Sequence, residues 1–572
     1  MLYDYMQTNK LFGMFFQKYL KVVSQQKLRK LSTYVLDNLI PKNEPILNYE
    51  HGSWESEKLL KALSVYKDQV FDIPIIIGDQ EYRTDDIKYQ LIPYNHKHKL
   101  AKFYYASPEL IKKAINVSLN AQEEWDNQPY EKRAQIFLKA ADLVSNRERM
   151  NLMAATMIGQ AKTVVQAEID TACELADFLR FNAYFGKKLQ EYTPYSPPET
   201  RNSYRFRALE GFIAAISPFN FTAIGGNLAS STALMGNVVL WKPSDTAILS
   251  NYLTYKIFRE CGLPSGVINF LPCDGPVFSS VITKSPSLAG INFTGSVATF
   301  RSIWLSISQN LISIGNWPRL VGECGGKNYH LVHASANMDH VINSTVRAAF
   351  EYGGQKCSAC SILYIPKSKW NSYVKPKLMA AIQDIKIGDA TDKNMFYSAV
   401  IDKKAFDKIS GYIDFARNSS EYTIVSGGKC DDSKGYFIEP TMIETKNPKG
   451  KLMVEEIFGP ILTVYPYNDD EFASIFQLIK ESIYGLTGSI FANDKKIIES
   501  ALRLLRQVNG NFYVNDKCTG SIVNQQPFGG ARASGTNDKA GGPHYLLKWS
   551  SPQSIKENFA QLKNWKYSYM CE

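Results

Sequence analysis

The sequence lacks most features that mark secreted, metal-dependent or disulfide-rich proteins. Its nine cysteines are an odd number without framework spacing, which excludes a disulfide scaffold and favours a reducing compartment. Its seven histidines form neither an HExxH motif nor a paired Cys/His spacing, so no metal site is predicted. The GxGxxG fingerprint of dinucleotide-binding proteins is also missing. The 45% hydrophobic and 21% charged fractions are those of an ordinary globular protein.

Acidic residues are scarce at the N-terminus. Residues 1–42 hold seven Lys/Arg against Asp4 and Asp37, which places half of the formal net charge of +10 in this segment. The rest of the chain is only lightly basic, so no nucleic-acid partner is predicted. Residues 14–30 are basic and amphipathic without one acid, which predicts a mitochondrial transit peptide over residues 1–42 and a matrix location. The alternative is an ordinary solvated helix, and Met14 is a second candidate start.

Charged residues are absent from the 31-residue run 211–241. The run is long enough to cross a bilayer, but proline, glycine and asparagine interrupt it repeatedly. It predicts a strand over 211–216, a helix over about 223–235 and a strand over 238–241, buried on all sides, rather than a membrane span.

The same alternation continues downstream. It predicts the following elements: a helix from 242–245 to 261, a strand over 267–271, a further helix, a strand over 290–293 and a helix over 297–311. Strands that alternate with helices predict an α/β fold with a parallel, doubly wound sheet. Ligands of such sheets bind beyond the carboxyl ends of the strands, where the turns 217–220, 242–244 and 294–296 are expected. The last turn opens a helix, which makes it a natural anion site.

Cys357 is the candidate nucleophile. Gly353 and Gly354 permit close backbone approach, and Lys356 places a cation beside the thiol. Residues 358–360 are predicted to begin a helix whose free N–H groups favour a thiolate. Together these features predict a reactive cysteine.

Two other segments supply what such a thiolate needs. A thiolate that attacks a carbonyl requires a donor for the oxyanion and a base that activates water afterwards. Asn220 offers a carboxamide in a turn, and Glu323 offers a carboxylate beside two glycines. The pair Cys357 and Cys360 also has the spacing of a redox dithiol, although no thioredoxin-like βαβ unit leads into it.

Six sequence blocks in order resemble the motifs of the aldehyde dehydrogenase superfamily. The blocks are 217–220, 241–244, 293–296, 323–327, 354–357 and 455–460. The resemblance implies an α/β, aldehyde dehydrogenase-like fold with a parallel-sheet NAD-binding domain, an α/β catalytic domain and a small β extension. The extension would pair subunits into a homodimer or a higher homo-oligomer.

The resemblance also implies domain limits. A transit peptide would span residues 1–42, and the NAD-binding domain residues 43–324, of which about 180–200 contribute to oligomerisation. The catalytic domain would span residues 325–531, and a C-terminal oligomerisation segment residues 532–572.

The resemblance assigns roles to the chemical groups. Cys357 would attack an aldehyde, Asn220 with the Cys357 amide would hold the oxyanion, and Glu323 would activate the hydrolytic water. The residues implied to bind NAD are Ser217, Lys242, Gly295, Ser296, Val297, Ala298, Thr299 and Glu456. The superfamily motif has a glycine where this chain has Phe300, which affects the expected phosphate geometry. Asp245 favours NAD over NADP.

Three longer blocks, two of which extend blocks named above, resemble the branch of the superfamily that oxidises glutamate 5-semialdehyde to glutamate. They are 217–227, 350–360 and 515–530. The branch holds the substrate's α-carboxylate in an anchor loop, and this implies the following substrate-binding residues: Ser358, Gly520 and Ser521 for the carboxylate, with Phe221 and Phe528 flanking the aliphatic part.

Alternatives to this prediction differ in class. One is another semialdehyde dehydrogenase, for example one acting on succinate semialdehyde. Another is a binding protein that keeps the fold without catalysis. For Ser521 alone, the simpler interpretation is a loop serine that bonds its own backbone.

Overall fold

The computed structural model describes residues 40–67 and 69–571. The predicted transit peptide therefore lies outside the described residues, except for its last three. Within the described ranges no helix combines the length and the apolarity that crossing a membrane requires.

A seven-stranded sheet forms the first half of the fold. Its strands, in spatial order, are Arg319–Glu323, Leu288–Thr294, Phe212–Ile216, Val238–Lys242, Ile268–Phe270, Ile75–Ile77 and Gln80–Tyr82. The first five run parallel, and the last two are antiparallel additions at one edge. The predicted parallel sheet is confirmed, with strand ends within two residues of the expected positions.

Both faces of this sheet are covered. Along the strand Phe212–Ile216, Ile213 and Ala215 pack into one buried cluster, whereas Phe212 and Ala214 pack into another on the opposite face. Successive side chains of a strand point to opposite faces, so a strand covered on both sides must be apolar throughout. This explains why the charge-free run 211–241 is a buried strand, helix and strand.

A second seven-stranded sheet follows. Its spatial order is Tyr422–Ser426, Thr441–Thr445, Ile461–Tyr467, Cys360–Pro366, Asn328–Val332, Thr487–Phe491 and Asn511–Val514. All neighbours pair in parallel except the first strand, which is antiparallel. The chain passes from the first sheet to the second between Glu323 and Asn328, and the domain limits themselves stay a prediction.

Smaller sheets complete the strand set. One has three strands, in the order Phe71–Ile73, Asn95–Tyr104 and Ile87–Ile92. Short antiparallel pairs join Cys430–Asp431 to Phe437–Ile438 and Tyr484–Gly485 to Ala531–Arg532. A longer antiparallel ribbon pairs Thr200–Arg207 with Ser551–Asn558. Its strands are half-buried or exposed along their length, unlike those of the two large sheets.

Helices cover the large sheets. In chain order the α-helices are Trp54–Lys67, Pro108–Asn127, Tyr130–Ser145, Arg149–Gln160, Val164–Ala167, Leu175–Gln190, Thr222–Leu234, Ile248–Glu260, Gly275–Ile282, Val297–Asn310, Met338–Phe350, Lys367–Lys369, Lys375–Gln383, Lys403–Arg417, Lys451–Val454, Phe472–Glu481, Lys495–Leu504 and Pro543–Leu547. A π-helical segment, Glu168–Glu174, leads directly into Leu175–Gln190. It carries residues that face the site described next.

Candidate active site

Polar residues collect at the carboxyl edge of the first sheet. Ser217 and Gly295 directly follow the strands Phe212–Ile216 and Leu288–Thr294. Lys242 ends its own strand, and Glu323 ends Arg319–Glu323. Because these strands are parallel neighbours, their polar ends share one crevice, the ordinary ligand position of an open α/β sheet.

Hydrogen bonds hold several of the residues that are implied to bind a nucleotide. The Trp241 Nε1 donates to Ser217 Oγ at 2.7 Å, and the Ser217 amide donates to the Lys242 carbonyl at 3.0 Å. The Lys242 ammonium donates to the Pro243 carbonyl at 3.2 Å. Asp245 accepts a hydrogen bond from the Tyr105 hydroxyl. These bonds tie the ends of the two strands together, and Tyr105 holds the turn that follows Val238–Lys242.

The helix Val297–Asn310 begins at this same edge, and Val297 and Ala298 form its first turn. Ser296 is its N-cap, with the Oγ accepting from the Thr299 amide at 3.1 Å. Phe300, where a glycine was expected, points into the core. Its ring stacks on Phe293 at 5.4 Å between centroids.

Glu456 lies against the glycines that follow Glu323. Its Oε1 accepts from the Gly326 amide at 2.8 Å. A Cβ at Gly325 would collide with this carboxylate, so the contact requires a glycine. Burial raises the pKa of Glu456, although the Gly326 amide and nearby Lys408 act in the opposite direction.

Cys357 lies in a buried turn, and not at the start of a helix. After Cys357 the chain enters the strand Cys360–Pro366, so the helix predicted from residue 358 is wrong. Tyr352, Gly353 and Gly354 before it have φ values of 54°, 59° and 68°. A Cβ at Gly354 would collide with the Gly459 carbonyl, which confirms the close backbone approach predicted from the glycines.

The thiol of Cys357 is less acidic than predicted. Burial raises its pKa well above the usual range, and the negative charges of Glu323 and Glu456 add to the effect. The amide of Ser358 opposes this shift only in part. Lys356 does not compensate, because its ammonium pairs with the Glu351 carboxylate at 2.8 Å. The resting cysteine is therefore a protonated thiol that needs a base.

Asn220 reaches the segment that carries Cys357. Its side chain is buried, and its Nδ2 donates to the Gln355 carbonyl at 3.0 Å. The primary amide has a second hydrogen for another acceptor. Its role as an oxyanion donor stays a prediction.

Glu323 is a buried carboxylate with spare hydrogen-bonding capacity. Among the described residues its Oε1 has no hydrogen-bond partner. Burial raises its pKa to about 8, although the Gly530 amide and the positive charge of Lys539 act to lower it. A carboxylate with this pKa is suited to accept a proton near neutral pH.

A cavity of about 300 Å³ joins the thiol, the carboxylate and the anchor loop. Seven of the residues predicted for catalysis or substrate binding line it: Phe221, Glu323, Cys357, Ser358, Gly520, Ser521 and Phe528. The structure therefore brings together four segments that are far apart in the sequence. The basic residues Arg347 and Lys517 also line the cavity, together with the carboxylates of Glu174, Glu351 and Asp538.

The anchor loop, residues 515–523, is fastened to the turn that carries the nucleophile. The hydroxyl groups of Ser358 and Thr519 are hydrogen-bonded at 2.7 Å. Gly520 has a φ of 87°, a conformation that favours glycine. The Ile522 amide donates to the Gln526 side chain at 3.0 Å and so closes the loop. These contacts set the distance between the loop and Cys357.

Sequence reasoning missed a charged group behind Phe221. The ammonium of Lys162 lies 4.0 Å from the Phe221 ring centroid and 2.8 Å from the Asp170 carboxylate. Asp170 also accepts from the amides of Thr222 and Ala223, at 3.0 and 2.8 Å, at the start of the helix Thr222–Leu234. The pair fixes both the ring and the helix that carries it. No local motif marks these residues, since the contacts join distant segments.

Sequence reasoning also missed two features near the cavity. Glu174 lines the cavity, and burial with the nearby Asp170 raises its pKa to about 8. In addition, His330, Cys360 and Cys518 converge beside the anchor loop, with ligand-type atoms within 4.8 Å of one another. These three residues are widely separated in the chain and so formed no recognisable spacing.

The chain belongs to the aldehyde dehydrogenase family, whose model matches residues 83–555. The resemblance read from the sequence motifs is confirmed. A reactive cysteine, a buried glutamate and a parallel nucleotide-type sheet are the parts that such an enzyme requires.

Relatives within the family are similar to this chain over most of its length. The chain is 56% identical over 530 residues to the mouse protein named Delta-1-pyrroline-5-carboxylate dehydrogenase, mitochondrial, covering 92% of this chain and 94% of the relative. The protein of that name from Dictyostelium discoideum is 47% identical over 536 residues, 93% of this chain and 96% of the relative. The Mycobacterium tuberculosis Delta-pyrroline-5-carboxylate dehydrogenase, solved with NAD bound, superposes with a TM-score of 0.90 at 42% identity, covering 94% of this chain and 99% of that one.

Because burial raises the pKa of Glu323 to about 8, a base at this position would be protonated below about pH 8 and able to accept a proton above it. We expect aldehyde turnover to rise with pH through this value. Glu323→Gln should lower kcat about 10²- to 10⁴-fold and abolish the rise. Glu174→Gln, which removes a second carboxylate of raised pKa from the same cavity, should keep it. The measurement is the pH profile of aldehyde consumption for the parent and both variants. A rise that is lost in Glu174→Gln but kept in Glu323→Gln would contradict the assignment.

Proposed function

We propose that this chain oxidises glutamate 5-semialdehyde, the open form of 1-pyrroline-5-carboxylate, to glutamate with NAD as the hydride acceptor. The observation that carries the proposal is the single cavity that Cys357 and Glu323 share with the Gly520–Ser521 loop. Aldehyde chemistry and carboxylate recognition thus occur in one space. The 56% identity to a Delta-1-pyrroline-5-carboxylate dehydrogenase supports the same substrate.

The residues at the first sheet's carboxyl edge fit a dinucleotide. Ser217, Lys242 and the helix start at Ser296 lie on adjacent parallel strands or directly after them. A helix N-terminus is a ready anion site, so Gly295 to Thr299 would hold the pyrophosphate, and Lys242 and Glu456 the ribose hydroxyls. Because Phe300 packs against Phe293, its ring lies in the core. NAD, when bound, supplies the acceptor for the hydride.

The mechanism follows from the groups around the cavity. Glu323 takes the thiol proton as the Cys357 sulfur bonds to the aldehyde carbon, and the new oxyanion accepts hydrogen bonds from Asn220 and the Cys357 amide. Loss of hydride from that carbon leaves a thioester on Cys357. After Glu323 has passed its proton to solvent, it takes one from the water that attacks the thioester. The carbon–sulfur bond then breaks, which frees the Cys357 sulfur and releases glutamate.

Substrate recognition rests on the anchor loop. The Gly520 amide and the hydroxyls of Ser521 and Ser358 would hold the α-carboxylate, while Phe221 and Phe528 enclose the methylene groups. Backbone amides and hydroxyls in a glycine turn suit a carboxylate. Succinate semialdehyde also carries a carboxylate, so a direct comparison of substrates is needed to separate the two.

Two further proposals concern location and assembly. We propose that residues 1–42 direct the chain to the mitochondrial matrix, which their basic, acid-poor composition and the relatives named mitochondrial support.

We also propose assembly into a homodimer or larger homo-oligomer through the ribbon of Thr200–Arg207 and Ser551–Asn558. Exposed apolar side chains beside the ribbon support this role, among them Tyr195, Leu562 and Trp565.

A panel of aldehydes tests the proposed reaction. Purified enzyme with NAD should form NADH faster from pyrroline-5-carboxylate than from succinate semialdehyde or propanal. Cys357→Ala should abolish this activity while NAD still binds, because the variant lacks the sulfur that attacks the carbonyl. The matched variant Cys360→Ala should keep substantial turnover. Equal loss in both variants would indicate a dithiol instead of a single nucleophile.

Ser521→Ala tests the carboxylate anchor. Loss of one hydrogen bond to a charged group costs about 1.5–3 kcal/mol, so kcat/KM for glutamate semialdehyde should fall roughly 10- to 150-fold. Propanal has no carboxylate, so its slower turnover should hardly change, whereas a damaged loop would affect both substrates. Unchanged kinetics with both aldehydes would mean that the carboxylate is held elsewhere.

The leader is tested by a reporter fusion. Residues 1–42 fused to a fluorescent protein should reach the mitochondrial matrix, and the enzyme without them should remain active. The same leader with its basic residues between 14 and 30 changed to glutamine is the control, and it should leave the reporter in the cytosol. A cytosolic reporter with the native leader would contradict the matrix proposal.

A further inference from the structure

Two buried thiols outside the catalytic scheme lie beside the anchor loop. The sulfurs of Cys360 and Cys518 and a ring nitrogen of His330 all lie within 4.8 Å of one another. Cys360 begins the strand Cys360–Pro366, three residues after the nucleophile. Cys518 belongs to the anchor loop, so the two sulfurs join the two parts of the site that must keep a fixed distance.

The histidine in this cluster is already engaged at both nitrogens. Its Nδ1 is hydrogen-bonded to the Thr345 hydroxyl at 2.9 Å, and its Nε2 accepts from the Cys518 amide at 3.2 Å. A structural zinc ion takes four ligands, whereas only the two thiols of this cluster remain to bind one. The arrangement therefore favours chemistry between the sulfurs over metal binding.

The environment of Cys518 favours loss of its proton. Burial acts to raise its pKa, but the polar surroundings of the sulfur, the Cys360 side chain first among them, outweigh that effect and lower it. A thiolate is the reactive form in peroxide oxidation and in disulfide formation. Thr519, which follows Cys518, and Ser358, two residues before Cys360, line the substrate cavity, so the buried thiols lie close to it along the chain.

A bond between these sulfurs would move the anchor loop. A disulfide requires the sulfurs about 2.05 Å apart, closer than any hydrogen-bonded pair. Cys518 immediately precedes Thr519, whose hydroxyl bonds Ser358 at 2.7 Å, and lies two residues before Gly520. Closing the sulfur pair would pull this segment toward the strand and displace the carboxylate donors. A displacement of about 1 Å in a positioned site costs on the order of 10²-fold in rate.

We propose that Cys360 and Cys518 form a reversible disulfide, a modification site that disables carboxylate recognition. With a peroxide as oxidant, the Cys518 thiolate takes one oxygen to become a sulfenic acid, and one water is released. The Cys360 sulfur then displaces the hydroxyl group as a second water. Two thiols are thereby oxidised by two electrons, and the peroxide is reduced. The kinetic consequence rests on the proposed oxidation of glutamate semialdehyde, whereas the bond itself does not.

The test treats the full-length enzyme with diamide, which accepts the two thiol hydrogens. Peptide mass mapping should find Cys360 linked to Cys518. In the same sample kcat/KM for glutamate semialdehyde should fall about 10²-fold, propanal turnover should change far less, and dithiothreitol should reverse both the bond and the loss. Cys518→Ser and Cys360→Ser should form no link and resist the treatment.

Several results would overturn the proposal. They are the absence of the linked peptide in the parent enzyme, a link that leaves the kinetics unchanged, an equal loss of activity in parent and Cys518→Ser, and a zinc ion held by the two cysteines in purified protein. Oxidation of Cys357 itself is distinguished from this bond, because it would abolish the turnover of both substrates alike. If untreated enzyme failed to oxidise glutamate semialdehyde, the proposed function would fail, while the mass map would still decide whether the disulfide forms.

Discussion

The side-chain amide of Asn328 holds the reactive turn in place. Its Nδ2 donates to the carbonyls of Cys357 and Ala359 at 2.7 and 3.0 Å, and its Oδ1 accepts from the Thr487 amide at 3.0 Å. Leaving such buried groups unpaired would be costly, so these bonds strongly favour one conformation. Asn328 opens its own strand and bonds to residues at the starts of both neighbouring strands. One amide therefore sets where the nucleophile lies relative to the second sheet.

The dimensions of the substrate cavity follow from this turn. The Ser358 hydroxyl, next to Cys357, bonds the Thr519 hydroxyl and so fixes the anchor loop at one distance from the sulfur. On the other side Glu323 ends a strand of the first sheet, so the proposed base and the proposed nucleophile come from different sheets. Burial raises the pKa of the Cys357 thiol, which therefore needs a base, and the raised pKa of Glu323 suits that role. The anchor loop, the turn that carries Cys357 and the Glu323 carboxylate are thus held by separate contacts and together surround the cavity.

Local patterns allowed much of this to be predicted. The run from 211 to 311 alternates buried strands with helices, and each boundary is marked by glycine, proline or a capping residue, so its elements were placed within a few residues. The helix start at 358 was wrong because the chain joins a central strand there, a tertiary requirement that residue preferences do not contain. The thiol's raised pKa was missed because burial and the carboxylates of Glu323 and Glu456 cause it, and Lys356, which was expected to oppose it, is paired with Glu351. The Cys360–Cys518 contact depends on strand order, which spacing along the chain does not reveal.

The central claim is that the nucleophile and the carboxylate anchor are held at one fixed separation. Its most direct test is kcat/KM for three amino-acid semialdehydes that differ by one methylene: aspartate, glutamate and 2-aminoadipate semialdehyde. A fixed separation predicts a maximum at glutamate semialdehyde, with each neighbour lower by roughly 10- to 200-fold, since one methylene in a shaped pocket is worth about 1–3 kcal/mol. Equal values for the three, or a maximum at another length, would contradict the account.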